Sequence, residues 1–346
     1  MNKKTMIFFV TTMGSIYDRV LPLIEEKKDH ANIVVVATTD QIEQFFTHYT
    51  SFKVIRTTVH PDLINKKIWY KFLTNVIRSK TEYNTCFKQY KNSEIYFFGS
   101  AWSIIIYSYV QKLAKYNTLF QYPSVDLQEQ VMLRVVNNYK TKLMNLFTKI
   151  FLNLNTIVVT DSAVLGYELH KKFYKKNNVH IVKNHQMNYA LLDKYMVKLD
   201  EIKNKQIFMP IEDLVACSHL TETEFTNKMN RIVDILDKTF PELYVVKPHP
   251  RLNTLYGDIK TKTILPIYIP AEFIMKHPWK FIIGVESFSL VSAAKQSNAT
   301  VISLIKLFDY KNPDTQQKWN TWLYKETNGR ILFPESLQEL HALLTA

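Results

Sequence analysis

Two short motifs in the last third of the chain carry residue types that bind phosphate. The first, Val245–Arg251, has the sequence VVKPHPR and places Lys247 and His249 after an apolar run. The second, Phe281–Leu290, has the sequence FIIGVESFSL and places hydroxyls after another apolar run. Apolar runs of this length predict buried strands, and open α/β sheets bind ligands outside the carboxyl ends of their strands. A cation, an imidazole and hydroxyls at that edge predict a phosphate site.

The imidazole of His249 lies between two prolines, Pro248 and Pro250. Proline fixes the backbone φ angle, so the side chain is held on a stiff loop directly after a strand. A rigid donor at that point stabilises a phosphate leaving group. Lys247 and Arg251 flank the segment and add positive charge. On residue chemistry alone, a turn with solvated His and Arg side chains fits equally well.

Two serines, Ser287 and Ser289, follow Gly284 and open an apparent helix. Serine is a preferred N-cap, and a helix N-terminus presents free N–H groups to an anion. Plain capping is the alternative, but it needs only one of the serines. Glu272 begins a short helix after Pro270 and has two interpretations. Its carboxylate either accepts hydrogen bonds from ribose hydroxyls or interacts favourably with the helix dipole.

The first half of the chain offers a candidate general base, Asp126, which follows a predicted strand over Thr118–Gln121. A carboxylate there is placed to deprotonate an acceptor in an interdomain cleft. The alternative is an N-cap for the long predicted helix that follows, Gln128–Asn153. The candidate cleft-lining residues also follow predicted strands and are Thr12, Gly14, Ser15 and Asp161.

The elements that must position these residues alternate between strand and helix along the whole chain. Such alternation predicts parallel sheets with helices on both faces. Further strands are predicted in the first domain at Met6–Val10, Asn32–Ala37, Glu94–Phe98, Thr156–Thr160 and His180–Val182, and in the second at Gln206–Met209, Leu243–Val246, Thr263–Leu265, Phe281–Ile283 and Thr300–Leu304. Helices are predicted at Tyr17–Lys27, Thr221–Lys238, Ala271–Lys276, after Phe288, and at Ser336–Leu344. The change of pattern between Asn184 and Asn204 predicts an N-terminal domain over 1–190 and a C-terminal domain over 200–325. We expect a terminal helix, 326–346, to pack back on the N-terminal domain.

Composition excludes several function classes. The net charge of +13 favours anionic partners. The six glycines form neither a dinucleotide fingerprint nor a P-loop, which argues against NAD enzymes and P-loop NTPases. Two distant cysteines fit a reducing cytoplasm, and no His, Cys or Asp pattern predicts a metal site. The longest uncharged run, Ile95–Val110, is too short to span a bilayer, so no transmembrane helix is expected.

The stretch from about Ile207 to Leu307 resembles the C-terminal domain of bacterial sialyltransferases and polysialyltransferases of the GT-B fold. The resemblance is carried by three motifs in the same order: His249-Pro250, Pro270-Ala271-Glu272, and the Gly284–Ser289 segment. It implies a GT-B architecture, with two Rossmann-like domains and an interdomain cleft. It also implies an inverting, metal-independent transfer of a sialic-acid-like nonulosonic acid from a CMP-activated donor, without a cofactor.

The resemblance also implies roles for single residues. His249 contacts the CMP phosphate and helps it leave, Ser287 and Ser289 bind the phosphate or the donor carboxylate, and Glu272 binds the ribose. Lys247, Pro250, Arg251 and Gly284 belong to the same donor site. In that family the acceptor hydroxyl is deprotonated by an acidic residue in an Asp-Gly or Glu-Gly motif. Asp126 stands at about that place but lacks the glycine.

The expected acceptor is a surface glycan, lipooligosaccharide or capsule, attached to a lipid. The positive charge fits peripheral contact with the anionic inner face of the cytoplasmic membrane. Three alternatives stay open at this point. One is a relative that uses another CMP-linked sugar acid or is inactive, and another is a CDP-polyol phosphotransferase of the teichoic-acid type, which has similar motifs. The third, a nucleic-acid-binding protein, fits the charge, but no recognition motif supports it, so no nucleic acid is expected.

Overall fold

The computed structural model describes residues 3–58, 72–98, 104–122, 146, 149–150, 179–182, 195, 202–212, 214–215, 217–249, 259 and 263–346. Contacts divide the chain into two compact units, Met1–Asp193 and Lys194–Ala346. The expected strand Thr156–Thr160 lies outside the described residues, as does almost all of the helix expected over Gln128–Asn153.

In the described part of the first unit, six strands form one parallel sheet. They are β1 (Lys4–Val10), β2 (Ala31–Ala37), β3 (Lys53–Arg56), β4 (Glu94–Phe98), β5 (Thr118–Gln121) and β6 (Val179–Ile181). Their order across the sheet is β3-β2-β1-β4-β5-β6. This is the Rossmann order, and it confirms the parallel α/β fold predicted from the alternating pattern.

The helices of the first unit lie between these strands. A turn of π-helix, Ile16–Val20, leads into α1 (Leu21–Lys27), and the others described are α2 (Asp40–Tyr49), α3 (Phe72–Glu82) with a π-turn at Tyr83–Phe87, and α4 (Ile104–Ala114). Alternate residues of β1 face opposite sides of the sheet, as the pleat requires. Ile7 and Phe9 belong to a core with α3 and α4. Phe8 stacks on Tyr96 with ring centroids 4.6 Å apart.

The second unit contains a five-stranded parallel sheet. Its strands are β7 (Ile207–Ile211), β8 (Tyr244–Pro248), β9 (Phe281–Gly284), β10 (Thr300–Ser303) and β11 (Ile331–Leu332). They lie in the order β11-β10-β9-β7-β8. Strands β7, β8 and β9 are buried over their whole length, as expected for a parallel sheet covered on both faces.

Helices cover both faces of the second sheet. They are α5 (Glu222–Thr239), α6 (Phe288–Gln296), α7 (Pro313–Glu326) and α8 (Leu337–Thr345), with single 3₁₀ turns at Ala271–Phe273 and Ile305–Leu307. The alternate residues Ile207, Met209 and Ile211 share one core with α5. Phe208 faces the other way and packs in a second core with α6.

Three features of the second unit differ from expectation. The helix predicted over Ala271–Lys276 is one 3₁₀ turn, because Pro278 disfavours a helical conformation at His277 and leaves too few residues. The strand predicted at Thr263–Leu265 is a single bridge to Val246, since Pro266 cannot continue a ladder. The terminal helix α8, which we expected against the N-terminal domain, packs against α5 and buries Leu340 and Leu344 in the second unit's core.

Candidate functional site

The second sheet reverses its direction of winding between β7 and β9. From β7 the chain crosses to β8 on one side, then returns to β9 on the other side and continues to β10 and β11. Open α/β sheets bind ligands outside the carboxyl ends of the strands at such a switch point. The β7–β9 ladder stops at the pair Phe208–Ile282, and β7 then holds Pro210, which has no N–H to donate. Near their carboxyl ends, just before the polar residues that follow, β7 and β9 are therefore no longer paired with each other.

Ser287 and Ser289 lie at this edge, at the N-terminus of α6. Ser287 is the N-cap, and its Oγ accepts a hydrogen bond from the backbone N–H of Ser289 at 3.1 Å. The cap uses the hydroxyl oxygen of Ser287 as an acceptor, so the hydroxyl proton can still be donated to an anion. Both residues are partly exposed. The first turn of this helix therefore combines hydroxyls with the positive end of the helix dipole, which is the geometry of an anion site.

A buried carboxyl lies behind the turn that carries these serines. It belongs to Glu212, which follows β7 directly, and its two oxygens lie 3.2 and 3.3 Å from the backbone N of Val285. Burial raises the pKa of Glu212 to about 8, and the negative charge of Glu286 contributes. The motifs did not single out this residue. Its position after the apolar run Ile207–Ile211 is the same signal that identified His249.

Glu286, inside the β9–α6 turn, is the second acid that the motifs left without a role. Its Oε1 lies 2.9 Å from Nδ1 of His219, and its Oε2 accepts a hydrogen bond from the Tyr310 hydroxyl at 2.7 Å. The carboxyl is buried, and its hydrogen bond raises the pKa of His219. Glu286 thus anchors the turn to the rest of the unit. No sequence spacing could show this, because its partners lie 67 and 24 residues away.

Lys247, predicted to bind the donor, points its ammonium at backbone carbonyls. Nζ donates to the carbonyl oxygens of Pro248 at 2.7 Å and Ile267 at 3.1 Å. The residue is 3% exposed, and burial lowers its pKa to about 7 despite the attraction of Glu272. In this structure Lys247 therefore braces the end of β8 against the loop that precedes Glu272.

His249 and Glu272, both partly exposed, lie on either side of this brace. His249 is the first residue after β8, and Glu272 lies in the 3₁₀ turn Ala271–Phe273. Strand β7 separates β8 from β9, and neighbouring strands are about 4.8 Å apart. The carboxyl ends of β8 and β9, and with them His249 and the Ser287 turn, are therefore separated by roughly 10 Å.

The first sheet has its own switch point between β1 and β4, and three candidate cleft-lining residues lie there. Thr12, Gly14 and Ser15 follow β1, where the Ser15 hydroxyl donates to the Thr12 carbonyl at 2.7 Å. Gly14 is exposed, and a Cβ added to it would meet nothing within 4 Å. The space beside the Gly14 backbone is therefore open.

Four predicted site residues lie outside the described residues: Asp126, Asp161, Pro250 and Arg251. Their roles stay predictions. Within the described ranges, no three His, Cys, Asp or Glu side chains are grouped so that they could hold a metal ion. No helix in the same ranges is both long and apolar enough to cross a membrane.

Comparison with known proteins identifies the fold. The glycotransferase of kitacinnamycin is similar over 100% of this chain and 90% of its own, with 8% identity and a TM-score of 0.51. The calicheamicin glycosyltransferase CalG4 is similar over 99% of this chain and 88% of its own, with 10% identity and a TM-score of 0.48. MurG of Acinetobacter baumannii is similar over 99% of this chain and 90% of its own, with 12% identity and a TM-score of 0.38.

No protein-family model matches the chain, and no curated protein sequence is significantly similar to it. The fold assignment rests on the kitacinnamycin enzyme, whose TM-score is the highest of the three. The chain has two parallel-sheet, Rossmann-like α/β domains of the kind found in GT-B glycosyltransferases, as expected from its sequence.

Proposed function

We propose that this chain is an inverting glycosyltransferase that binds a nucleotide-activated sugar at the switch point of its second unit. One observation carries the proposal. The N-terminus of α6, with Ser287 and Ser289, lies at the same sheet edge as His249, one strand removed. An N-terminal anion site beside a rigid imidazole suits the phosphate of a leaving nucleotide. The GT-B-like fold supports glycosyl transfer as the class of reaction.

The donor we propose is a CMP-activated nonulosonic acid of the sialic-acid type, as the sequence resemblance implies. Its phosphate would lie at Ser287 and Ser289, and its ribose would bind Glu272. Glu272 is suited to this role because it is partly exposed and lies on a loop that Lys247 fixes to β8. Lys247 acts in this proposal as a brace for the ribose loop.

The reaction is a direct displacement at the anomeric carbon. The acceptor hydroxyl oxygen forms the new bond while the bond from that carbon to the phosphate oxygen breaks. The bonding electron pair leaves with CMP, where His249 and the N–H groups of α6 stabilise the developing charge. The acceptor proton passes to a general base, for which Asp126 is the candidate. Attack from the face opposite the leaving group inverts the configuration.

The acceptor we propose is a lipid-linked surface glycan, lipooligosaccharide or capsule, reached at the inner face of the cytoplasmic membrane. The net charge of +13 supports this, because a positive surface is drawn to anionic lipid as well as to an anionic donor. The binding is proposed to be peripheral.

Release of CMP from CMP-sialic acid by the purified chain, with a glycan acceptor present, tests the proposal. We expect His249→Ala to lower turnover at least about a hundredfold, the scale of one lost transition-state donor. Asp126→Asn should abolish transfer and retain CMP binding. His341→Ala, an exposed histidine on α8, is the matched control and should be unchanged. Normal turnover in folded His249→Ala would contradict the mechanism, and transfer from CDP-glycerol instead would favour a polyol phosphotransferase.

A further inference from the structure

The carboxyl of Glu212 takes the place of a backbone acceptor in the second sheet. The β7–β9 ladder ends at Phe208–Ile282, so beyond it the Val285 N–H has no partner on the backbone of β7. Glu212 supplies that partner with its side chain, at 3.2 and 3.3 Å. The two strands are thus joined by a carboxyl at the point where the proposed donor site begins.

The same turn is fixed from its other side. The Ser303 hydroxyl of β10 donates to the Val285 carbonyl at 2.6 Å. Both backbone groups of Val285 are therefore held by side chains at the ends of neighbouring strands, Glu212 directly after β7 and Ser303 at the end of β10. Ser287 caps α6 only two residues later. Together with the bonds of Glu286, these bonds hold the turn that leads into the proposed phosphate site.

The surroundings of Glu212 favour an uncharged carboxyl. It is 7% exposed, and it forms no ion pair with any described Lys, Arg or His. Glu286 repels a second negative charge, and its own oxygens are occupied by two donors. The side chain of Lys247, on β8, donates its hydrogen bonds to backbone carbonyls and not to Glu212. Among the described residues, the titratable groups that interact with Glu212 are Glu286 and Tyr310. These two in turn interact with His219 and Cys217, and Lys247 lies on the neighbouring strand β8.

We propose that Glu212 is a positioning residue of the donor site that works as a neutral acid. It holds the Gly284–Ser287 turn through the Val285 amide without adding a second negative charge beside Glu286 at the switch point, where an anionic nucleotide must bind. This inference rests on the proposed function. It adds Glu212 to the donor site and predicts that nucleotide binding weakens at high pH. Ionised Glu212 would repel the nucleotide phosphate and weaken its binding.

The test is the dissociation constant of CMP, measured by calorimetry from pH 6.5 to 9.5. The variants are Glu212→Gln, which keeps the shape and the acceptor oxygen without the charge, and Glu212→Ala, which removes the anchor. Glu222→Gln, the same change at an exposed position of α5, is the matched control. Above pH 7 the nucleotide phosphate is at least about nine-tenths ionised, because its second pKa is about 6. Lys247 also titrates in this range, but it does so in every variant.

We compare the dissociation constant of CMP for the wild type with that for Glu212→Gln. Their ratio, wild type over variant, should increase about tenfold as the pH rises through about 8. Glu222→Gln should follow the wild type, and Glu212→Ala should bind more weakly throughout. A ratio that stays constant with pH, or normal binding by folded Glu212→Ala, would overturn the inference and leave the proposed function standing. Absence of CMP binding by the folded wild type at every pH would overturn the proposed function and this inference with it.

Discussion

The ammonium of Lys247 lies 3.1 Å from the carbonyl oxygen of Ile267, which joins the end of β8 to the loop that precedes Glu272. A second bond reaches the Pro248 carbonyl at 2.7 Å. The cation that the sequence predicted to bind phosphate is thus already satisfied by the backbone. These bonds fix the end of β8, which His249 follows, relative to the loop before Glu272.

Lys247→Met is predicted to change how stability depends on pH. The pKa of Lys247 is lowered to about 7 from 10.5, so the folded state prefers the neutral amine. The stability that the lysine contributes is therefore present above pH 10.5 and is lost as the pH falls toward 7. Because methionine has no such loss, the variant should gain a few kcal/mol relative to wild type between pH 10 and 7.

Urea unfolding across that range measures the difference. In Lys247→Met the carbonyls of Pro248 and Ile267 lose their donor, which changes the unfolding free energy by an amount that does not vary with pH. Lys238→Met, at an exposed position of α5, should show no such slope. A difference between Lys247→Met and wild type that is flat from pH 7 to 10 would show that the buried amine is not perturbed.

Glu212→Gln should show the opposite slope. The pKa of Glu212 is raised from 4.5 to about 8, so its contribution to stability is full below pH 4.5 and is lost as the pH rises through 8. A tenfold change in a protonation equilibrium corresponds to about 1.4 kcal/mol, so the glutamine variant should be several kcal/mol more stable than wild type at pH 8.5. Thermal unfolding at pH 5 and 8.5, with Glu222→Gln alongside, measures this. A variant that is less stable than wild type at pH 8.5 would contradict the prediction.

Gly284→Ala tests the close approach of the Glu212 carboxyl to β9. A Cβ at Gly284 would stand 2.9 Å from Oε1 of Glu212 and 3.2 Å from Cδ2 of Leu290. We predict a loss of about 1–3 kcal/mol in unfolding free energy, the usual cost of overpacking. Gly14→Ala, where a Cβ meets nothing within 4 Å, is the control and should lose far less. Equal stability of Gly284→Ala and wild type would mean that the turn and the carboxyl can move apart freely.

The pairing of His219 with Glu286 should appear directly in a titration. The hydrogen bond to Glu286 raises the pKa of His219 above 6.5. Glu286→Gln removes the negative charge, so we predict a lower pKa for His219, measured by NMR of its ring protons. Tyr310→Phe leaves the carboxylate in place and should preserve the raised value. An unchanged His219 pKa in Glu286→Gln would show that the pair is not formed in solution.

The fold followed from local sequence, and so did the positions of some candidate site residues. Apolar runs ending in polar residues located the sheet edges, and that rule selected His249, Ser287 and Ser289, whose roles stay predictions. It did not find β3, because Lys53–Arg56 is a short, half-buried edge strand without a continuous apolar pattern. β11 has only two residues and offers no pattern at all.

The supporting contacts could not be predicted in the same way. The Glu212 side chain meets Val285 across 73 residues of sequence, where the ladder between two strands stops. Where a ladder stops depends on tertiary pairing, which periodicity does not encode. Lys247 is the opposite case. Its charge predicted a phosphate ligand, but its side chain is buried and donates to two backbone carbonyls. The general base stays a prediction, because Asp126 lies outside the described residues.

The most direct measurement is the thermal shift of the folded chain with CMP, CDP, UDP, GDP, TDP and a single-stranded oligonucleotide at moderate salt. Binding to the folded state raises the melting temperature. We predict the largest shift with CMP, reduced in Ser289→Ala, which removes a hydroxyl from α6 but keeps the Ser287 cap. A larger shift with another nucleotide, or an equal shift in Ser289→Ala, would contradict a CMP-sugar site at the second switch point.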